Sequence, residues 1–301
     1  MTLRRGTAVA IALLGAALAA AGCGFGPGKG VDDVELTVTR DYGTVPVLHR
    51  RIGDVTESDT VMRVLERGAD ITTRYGGGFV KSIDGLEGEG AGGRDWFFYV
   101  NGLWSPVGAA DYPLRGGESV WWDYRDWSVG ERVAAAVGAW PQPFRGGYEG
   151  ARHRTAVVCR VAGPACATVS ERLRDAGASL AGGDDPGDAI RVLVGPWARL
   201  ADDRDAELLE KGVRVSGVFA EFAAGGALVG LDERGGPVRR FGRDAGLVAA
   251  LRREAEPPAW LVTGTTRAGV EAAAQLLDRP SLRDHYGVAV ADGTETVLPV
   301  R

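Results

Sequence analysis

In VELTVTR, Val34, Leu36 and Val38 alternate with polar residues, which predicts a half-buried strand that stops at the turn around Gly43. VPVLHRRIG predicts a second extended piece. SDTVMRVLERG changes period. Val61, Val64 and Leu65 form a helical stripe, with Ser58 as the N-cap, Glu57 and Asp59 at the positive end, and Gly68 as the stop. FVKSIDG predicts a short strand and WFFYVNG a longer one that ends in Asn101-Gly102, a strong hairpin signal. After Gly116-Gly117, SVWWDYRDW predicts a final strand. Residues 32–128 therefore read as a compact α+β unit with one helix on a sheet.

The pattern breaks at WPQPFRGGYEGARHR, where two prolines and clustered glycines interrupt it, and we assign residues 129–153 as a linker. Before it, AAAVGAW predicts a short helix or a strand remnant. Beyond the linker, strands are expected at TAVVCRV, IRVLVG, GVFAEFA, ALVGLDE, AWLVTGT and YGVAVADG. Helices are expected at CATVSERLRDAGA, DDRDAELLEKG, GLVAALRRE and TRAGVEAAAQLL. This alternation predicts an α/β domain over 154–301 with a largely parallel sheet.

Aromatic density changes the picture most. Ten of the chain's Trp, Tyr and Phe residues lie between Trp96 and Trp127. Alternate strand residues face opposite ways, so Trp96 and Phe98 oppose Phe97 and Tyr99. Likewise Val120, Trp122 and Tyr124 oppose Trp121, Asp123 and Arg125. One aromatic face packs under the helix. The other is expected either to be covered by the second domain or to receive a flat ligand or a partner, because a bare patch of that kind marks a binding site. From position and chemistry, Tyr75, Tyr99, Asn101, Trp104, Tyr112 and Trp121 are the candidate ligand-binding residues. Gly76 and Gly77 join them if the triplet Gly76–Gly78 brings backbone close to a ligand; the other reading of the triplet is a flexible turn.

Charge and motifs then exclude classes. A net charge of −5 gives no reason to expect nucleic acid. No GxSxG, HExxH, EF-hand loop or GxGxxG follows the pattern its chemistry needs. Three histidines, His49, His153 and His285, are scattered and leave little for general base work. The chain reads as a non-enzyme, without a metal site and without a resident cofactor. VTGTT, residues 262–266, leads into a helix and has two readings, an anion site or an ordinary N-cap at Thr265 or Thr266.

The N-terminus carries Arg4 and Arg5, then an uncharged run from Gly6 to Gly22, the form of a signal peptide over residues 1–22. At about 17 residues the run sits at the short limit for spanning a bilayer. Ala20, Ala21 and Gly22 lead into Cys23 in a way that resembles a bacterial lipobox, with Ala20 where Leu is usual. The resemblance implies lipidation at Cys23, a flexible tether over 23–31 and a place on the extracytoplasmic face of the cell membrane. Cys159 and Cys166 are the remaining cysteines. An oxidising compartment predicts a disulfide between them, the alternative being two buried thiols.

The order of elements, with the W-x-x-Y-V-N-G run at Trp96–Gly102 and the G-A-x-x-Y-x-L-x-x-G-[DE]-x-[VI]-x-[WF] run at Gly108–Trp122, resembles the C-terminal domain of the transcobalamin and intrinsic factor family, in its bacterial lipoprotein version. The likeness covers about residues 32–128; residues 150–301 resemble no family we identify. It implies a β-grasp-like fold and a small-molecule ligand, cobalamin or a related corrinoid. It also implies two partners: an α/α-toroid chain, since this chain lacks that half, and an energy-coupling-factor-type membrane importer. His49 is the histidine that a cobalt ion would need, although a lone His is ordinarily a surface or packing residue. The function class from elsewhere is a cell-surface module that recognises protein or polysaccharide through the same aromatic face.

Metabolic labelling with a tagged fatty acid should mark the wild-type protein and leave Cys23→Ser unlabelled. Label surviving the substitution would remove the lipoprotein assignment.

Overall fold

The structure, a computed structural model, describes residues 29–90, 93–130, 133–182, 187–254 and 256–301. The expected signal segment 1–22, Cys23 and the start of the tether lie outside the described residues. The chain is a mixed α/β protein, mostly strands with few helices, arranged in several sheets.

The first half contains β1 (Val34–Arg40), β2 (Val45–Ile52), α1 (Val61–Gly68), β3 (Ile71–Arg74), β4 (Phe79–Ile83), β5 (Leu86–Glu87), β6 (Arg94–Val100), β7 (Leu103–Trp104) and β8 (Ser119–Asp126). Among the described residues the main sheet has the order β2-β1-β8-β6-β7, with β1 and β8 parallel and the other pairs antiparallel. Strands β3, β4 and β5 form a small separate sheet. Val34, Leu36 and Val38 are fully buried against α1, whose Val61, Val64 and Leu65 supply the apolar stripe. The expected cap at Ser58 is corrected: Thr60 caps α1, accepting from the Arg63 N–H. Asp59 instead accepts from the Thr56 N–H at 2.8 Å, so residues 56–59 form a turn ahead of the helix. Gly68 is the last residue of α1 and lies close on β1, where a Cβ would meet Leu36 Cδ2 at 2.3 Å.

The two aromatic faces separate as the alternation requires. Trp96, Trp122 and Tyr124 are buried on the α1 side, with Phe98 packed against them. Tyr99 and Trp121, 0% and 2% exposed, go into a core shared with the second half, alongside Phe219, Leu247, Leu261 and Tyr286. The Tyr286 ring lies 5.0 Å from Trp121 and 5.7 Å from Tyr99. The second half of the chain, and not a ligand, covers this face.

Polar groups lie within the same seam. Asp123 is fully buried and accepts from Thr39 Oγ1 (2.6 Å), the Gly43 N–H (3.1 Å) and Tyr286 Oη (3.0 Å). Burial pushes its carboxyl above the usual range; the three hydrogen bonds and the charge of Arg125 pull the other way. The Arg125 guanidinium lies 3.9 Å from the centre of the Phe97 ring.

The second half runs β9 (Thr155–Cys159), α2 (Ala165–Asp175), β10 (Ile190–Pro196), α3 (Trp197–Leu200), α4 (Glu207–Glu210), α5 (Val213–Ser216), β11 (Ala220–Phe222), β12 (Leu228–Leu231), β13 (Pro237–Arg240), β14 (Gly246–Leu251), β15 (Ala259–Gly264), α6 (Arg267–Gln275), α7 (Arg279–Leu282), β16 (Gly287–Ala291) and β17 (Thr294–Leu298). Its main sheet has the order β17-β16-β14-β15-β10-β9. Among the described residues β9, β10 and β15 pair in parallel, while β14, β16 and β17 join antiparallel, so the sheet is mixed and not largely parallel.

That difference has one cause. GLVAALRRE, expected as a helix, is strand β14, buried at all six positions between β15 and β16. A continuous apolar run lacks a period, so helix and buried strand read alike in it; tertiary enclosure overrides the helix preference of Ala and Leu. DDRDAELLEKG shrinks to the single turn α4. The expected linker is also corrected: Trp140, Phe144 and Tyr148 are buried in the core beneath Trp260. Its prolines and glycines mark irregular backbone, not exposure. Cys159 and Cys166 are joined by a disulfide that ties the end of β9 to the start of α2.

Trp121→Ala should lower stability by about 3–5 kcal/mol and shift one common unfolding transition, read by calorimetry and by near-ultraviolet dichroism. Two separated transitions would show that the halves fold independently.

Candidate functional site

The sequence candidates fall into three places. Tyr99, Asn101 and Trp121 are buried structural residues, which corrects their assignment to a ligand. Asn101 takes the positive φ of a tight hairpin turn with Gly102. Its Nδ2 donates to Gly147 O (2.9 Å) and its Oδ1 accepts from the Ser119 N–H (2.9 Å), so the side chain joins the hairpin to the 140s segment. Tyr75, Gly76 and Gly77 form the tip between β3 and β4. Tyr75 is 87% exposed at φ +54°, with the Phe79 ring edge-on to it at 6.4 Å. A Cβ at Gly76 or Gly77 would meet nothing within 4 Å among the described residues.

Trp104 and Tyr112 are the candidates that line an opening of ligand size. Trp104 lies on edge strand β7 opposite Tyr99, at the margin of the shared core, and remains half-buried. It lines a cleft of 960 Å³, with Pro106 and Ala134 on its own side and Leu208, Lys211 and Val215 from the α4–α5 segment across from it. Tyr112 lines an adjoining cavity of 120 Å³ with Val100, Leu103 and Tyr148. Trp104, Pro106, Glu149 and Arg252 line both spaces, which makes them one continuous depression. Its combined volume is that of a small-molecule site.

The rim is positive. Lys211, Arg214, Arg252 and Arg253 face Glu149 and Glu254. Arg252 is buried and fixed: it pairs with Glu149, donates from Nε to Glu256 O (3.0 Å), and lies 5.4 Å over the Tyr148 ring. His153 stacks on Tyr148 at 3.9 Å. Arg214 donates to Val129 O (3.0 Å) and Ser128 O (3.2 Å). Lys211 is exposed, with its ammonium free of any ion pair among the described residues. Burial pushes the Tyr112 phenol above its usual range, so it stays a neutral hydrogen-bonding group. The depression thus offers an apolar wall with an indole, two phenols and a surplus of cations, which suits an organic anion with a flat apolar body. The cationic side comes from residues 211–253, for which the sequence pattern carried no signal.

Other motifs settle as structure. Thr266 caps α6, accepting from the Gly269 N–H, and donates to Asp244 Oδ1 (2.6 Å); Thr265 bonds to backbone at Ala245. The VTGTT loop therefore satisfies its own groups. His49 bonds to Thr37 Oγ1 (3.1 Å) and approaches Glu35 Oε1 (3.1 Å), far from presenting a free nitrogen. Among the described residues no three His, Cys, Asp or Glu side chains assemble as a metal site, and no helix is long and apolar enough to cross a membrane.

A second, more polar cavity of 600 Å³ lies where the Gly116–Gly117 turn meets the 140s segment. Glu118 lines it, 5% exposed, with Oε2 accepting from the Arg115 N–H at 2.8 Å. Burial pushes its carboxyl up to about 7.

Residues 58–126, from the turn before α1 to the end of β8, match a family described as a domain of unknown function, DUF4430. No curated protein matches the chain. A crystal structure of a proposed metal binding protein from Ruminococcus gnavus is similar over 32% of this chain and 97% of its own, at 15% identity and a TM-score of 0.26.

Between pH 4.5 and about 7 the folded state holds the Glu118 proton more tightly than the unfolded chain does. Stability should therefore fall as pH rises through that window, by on the order of 2–3 kcal/mol. Denaturant melts of Glu118→Gln should show a flatter profile there; an unchanged slope would remove Glu118 as its source.

Proposed function

We propose that this protein is an extracytoplasmic ligand-binding lipoprotein, held to the cell membrane at Cys23, that takes a flat organic ligand into the depression beside Trp104. The observation that carries this reading is the meeting of Trp104 and Tyr112 with the cationic rim of Lys211, Arg214 and Arg253 in one opening. Cobalamin or a related corrinoid fits the class: a flat macrocycle for the indole and a phosphate for the cations. The one-helix sheet with its parallel β1–β8 pair supports a β-grasp-like first domain. That in turn supports the resemblance to the transcobalamin family's C-terminal domain, and with it delivery to an energy-coupling-factor-type importer, with an α/α-toroid chain as partner. No catalytic step is part of this reading.

A second reading rests on a separate observation. Tyr75 and Phe79 stand exposed at the β3–β4 tip, a geometry suited to a protein or polysaccharide partner.

Titration of the chain from Gly24 onward with cobalamin, followed by tryptophan fluorescence corrected for corrinoid absorbance, separates the two. Capture in the depression predicts saturable quenching, weakened about tenfold or more by Trp104→Ala and by Lys211→Glu, and untouched by Tyr75→Ala. Absence of cobalamin binding, with a membrane-protein partner retained by wild type and lost in Tyr75→Ala, would favour the second reading.

A further inference from the structure

The polar cavity beside Glu118 shares no lining residue with the Trp104 depression. Both halves build it: Asp32 and Asp33 ahead of β1, the Gly116–Ser119 turn into β8, and the segment from Pro141 to Arg152.

Some of its polar groups are already engaged. Arg51 approaches Asp33 at 3.9 Å, and Arg279 pairs with Glu35, which also faces His49. The Gln142 amide is spent within the wall, donating to Gly117 O (2.9 Å) and accepting from the Gly146 N–H (2.7 Å).

Three charged groups are not engaged, and a fourth is engaged through one oxygen only. Asp32, Arg145 and Arg152 have no ion pair or side-chain hydrogen bond among the described residues, and Glu118 uses only Oε2. Glu118 Oε1 makes no hydrogen bond among the described residues, and Glu118 lines the cavity. A carboxylate in so buried a residue needs a donor when it ionises. Buried Glu118 and the exposed side chains of Asp32, Arg145 and Arg152 thus line one space, two acids and two guanidinium groups together. A simple cation would make no use of the two arginines, and a simple anion would confront Glu118. Carboxylates take ammonium and guanidinium groups take carboxylate through charge-assisted hydrogen bonds.

We propose that this cavity is a binding site for a zwitterionic ligand of amino-acid or short-peptide size. Its ammonium is held by Glu118 and Asp32 and its carboxylate by Arg145 and Arg152. The 600 Å³ volume lies within the range of small-molecule sites.

The test is calorimetric titration of the full-length protein in detergent, at about pH 8, where Glu118 is ionised. The probes are L-alanine, L-glutamine and L-alanyl-L-alanine. L-Alaninamide, which lacks the carboxylate, and propionate, which lacks the ammonium, are the controls. Saturable binding of at least one zwitterion is expected, at least tenfold tighter than either control. Preference for the dipeptide would assign a peptide terminus, and preference for a free amino acid the monomer. Glu118→Gln and Arg152→Ala should each weaken binding at least tenfold. Arg152 is exposed and its removal leaves packing intact, so it carries the test if the Glu118 variant unfolds. Trp104→Ala should leave this binding unchanged, which keeps the result separate from the corrinoid reading. No saturable heat with any zwitterion, controls binding equally well, or full affinity in Arg152→Ala would overturn the proposal.

Discussion

The buried contact of Asp123 with Tyr286 is the constraint on which the rest of the structure depends. A carboxylate out of water is costly unless its lone pairs are filled and a charge stands near. Thr39, Gly43 and Tyr286 fill them, and Arg125 supplies the charge. Thr39 and Gly43 belong to the first half and Tyr286 to the second. Separating the halves would strip Asp123 of one donor and expose the rings of Tyr99, Trp121 and Tyr286 together. Such a network fixes a single docking, because a shifted docking leaves polar groups unpaired.

This seam decides where a ligand can go. The aromatic face of β6 and β8 is used up inside the molecule, and the two cavities described above lie where the two halves meet at the surface. One such place is the end of β7, where Trp104 stands at the margin of the shared core and the α4–α5 segment faces it. Another is the turn into β8, where the 140s segment comes up against residues 31–33. Both cavities are therefore products of the docking, and each takes its charges from parts of the chain far apart in sequence.

Close packing in the second half follows from small residues. A Cβ on Gly246 would meet Gly269 O at 2.2 Å, and one on Gly269 would meet Ala245 O at 2.1 Å, so α6 lies directly on the end of β14. There β14 runs between β15 and β16, antiparallel to both. The disulfide at Cys159–Cys166 secures the opposite edge, where β9 pairs with β10 on one side and has a single bridge, Thr155 to Leu180, on the other among the described residues.

Local pattern was enough for much of the first half. The alternation of Val34, Leu36 and Val38, the stripe of Val61, Val64 and Leu65, the Asn101-Gly102 turn and the division of Trp121 from Trp122 are all properties of short windows, and windows obey the strand and helix periods. The strand at 246–251 was not legible, because an apolar run without a period is compatible with either element and only its neighbours choose. Nor was the burial of Trp140 and Phe144, since proline and glycine report on backbone shape and say nothing about what packs above it. The sites were the least legible. Trp104 and Tyr112 could be named as aromatic residues, but Tyr99 and Trp121 looked the same. The chain by itself determined which side chains share a face. Only the tertiary structure decided which faces are covered, because burial of Tyr99 and Trp121 depends on Tyr286, a residue more than a hundred and sixty positions away from Trp121 that no local period can bring into view.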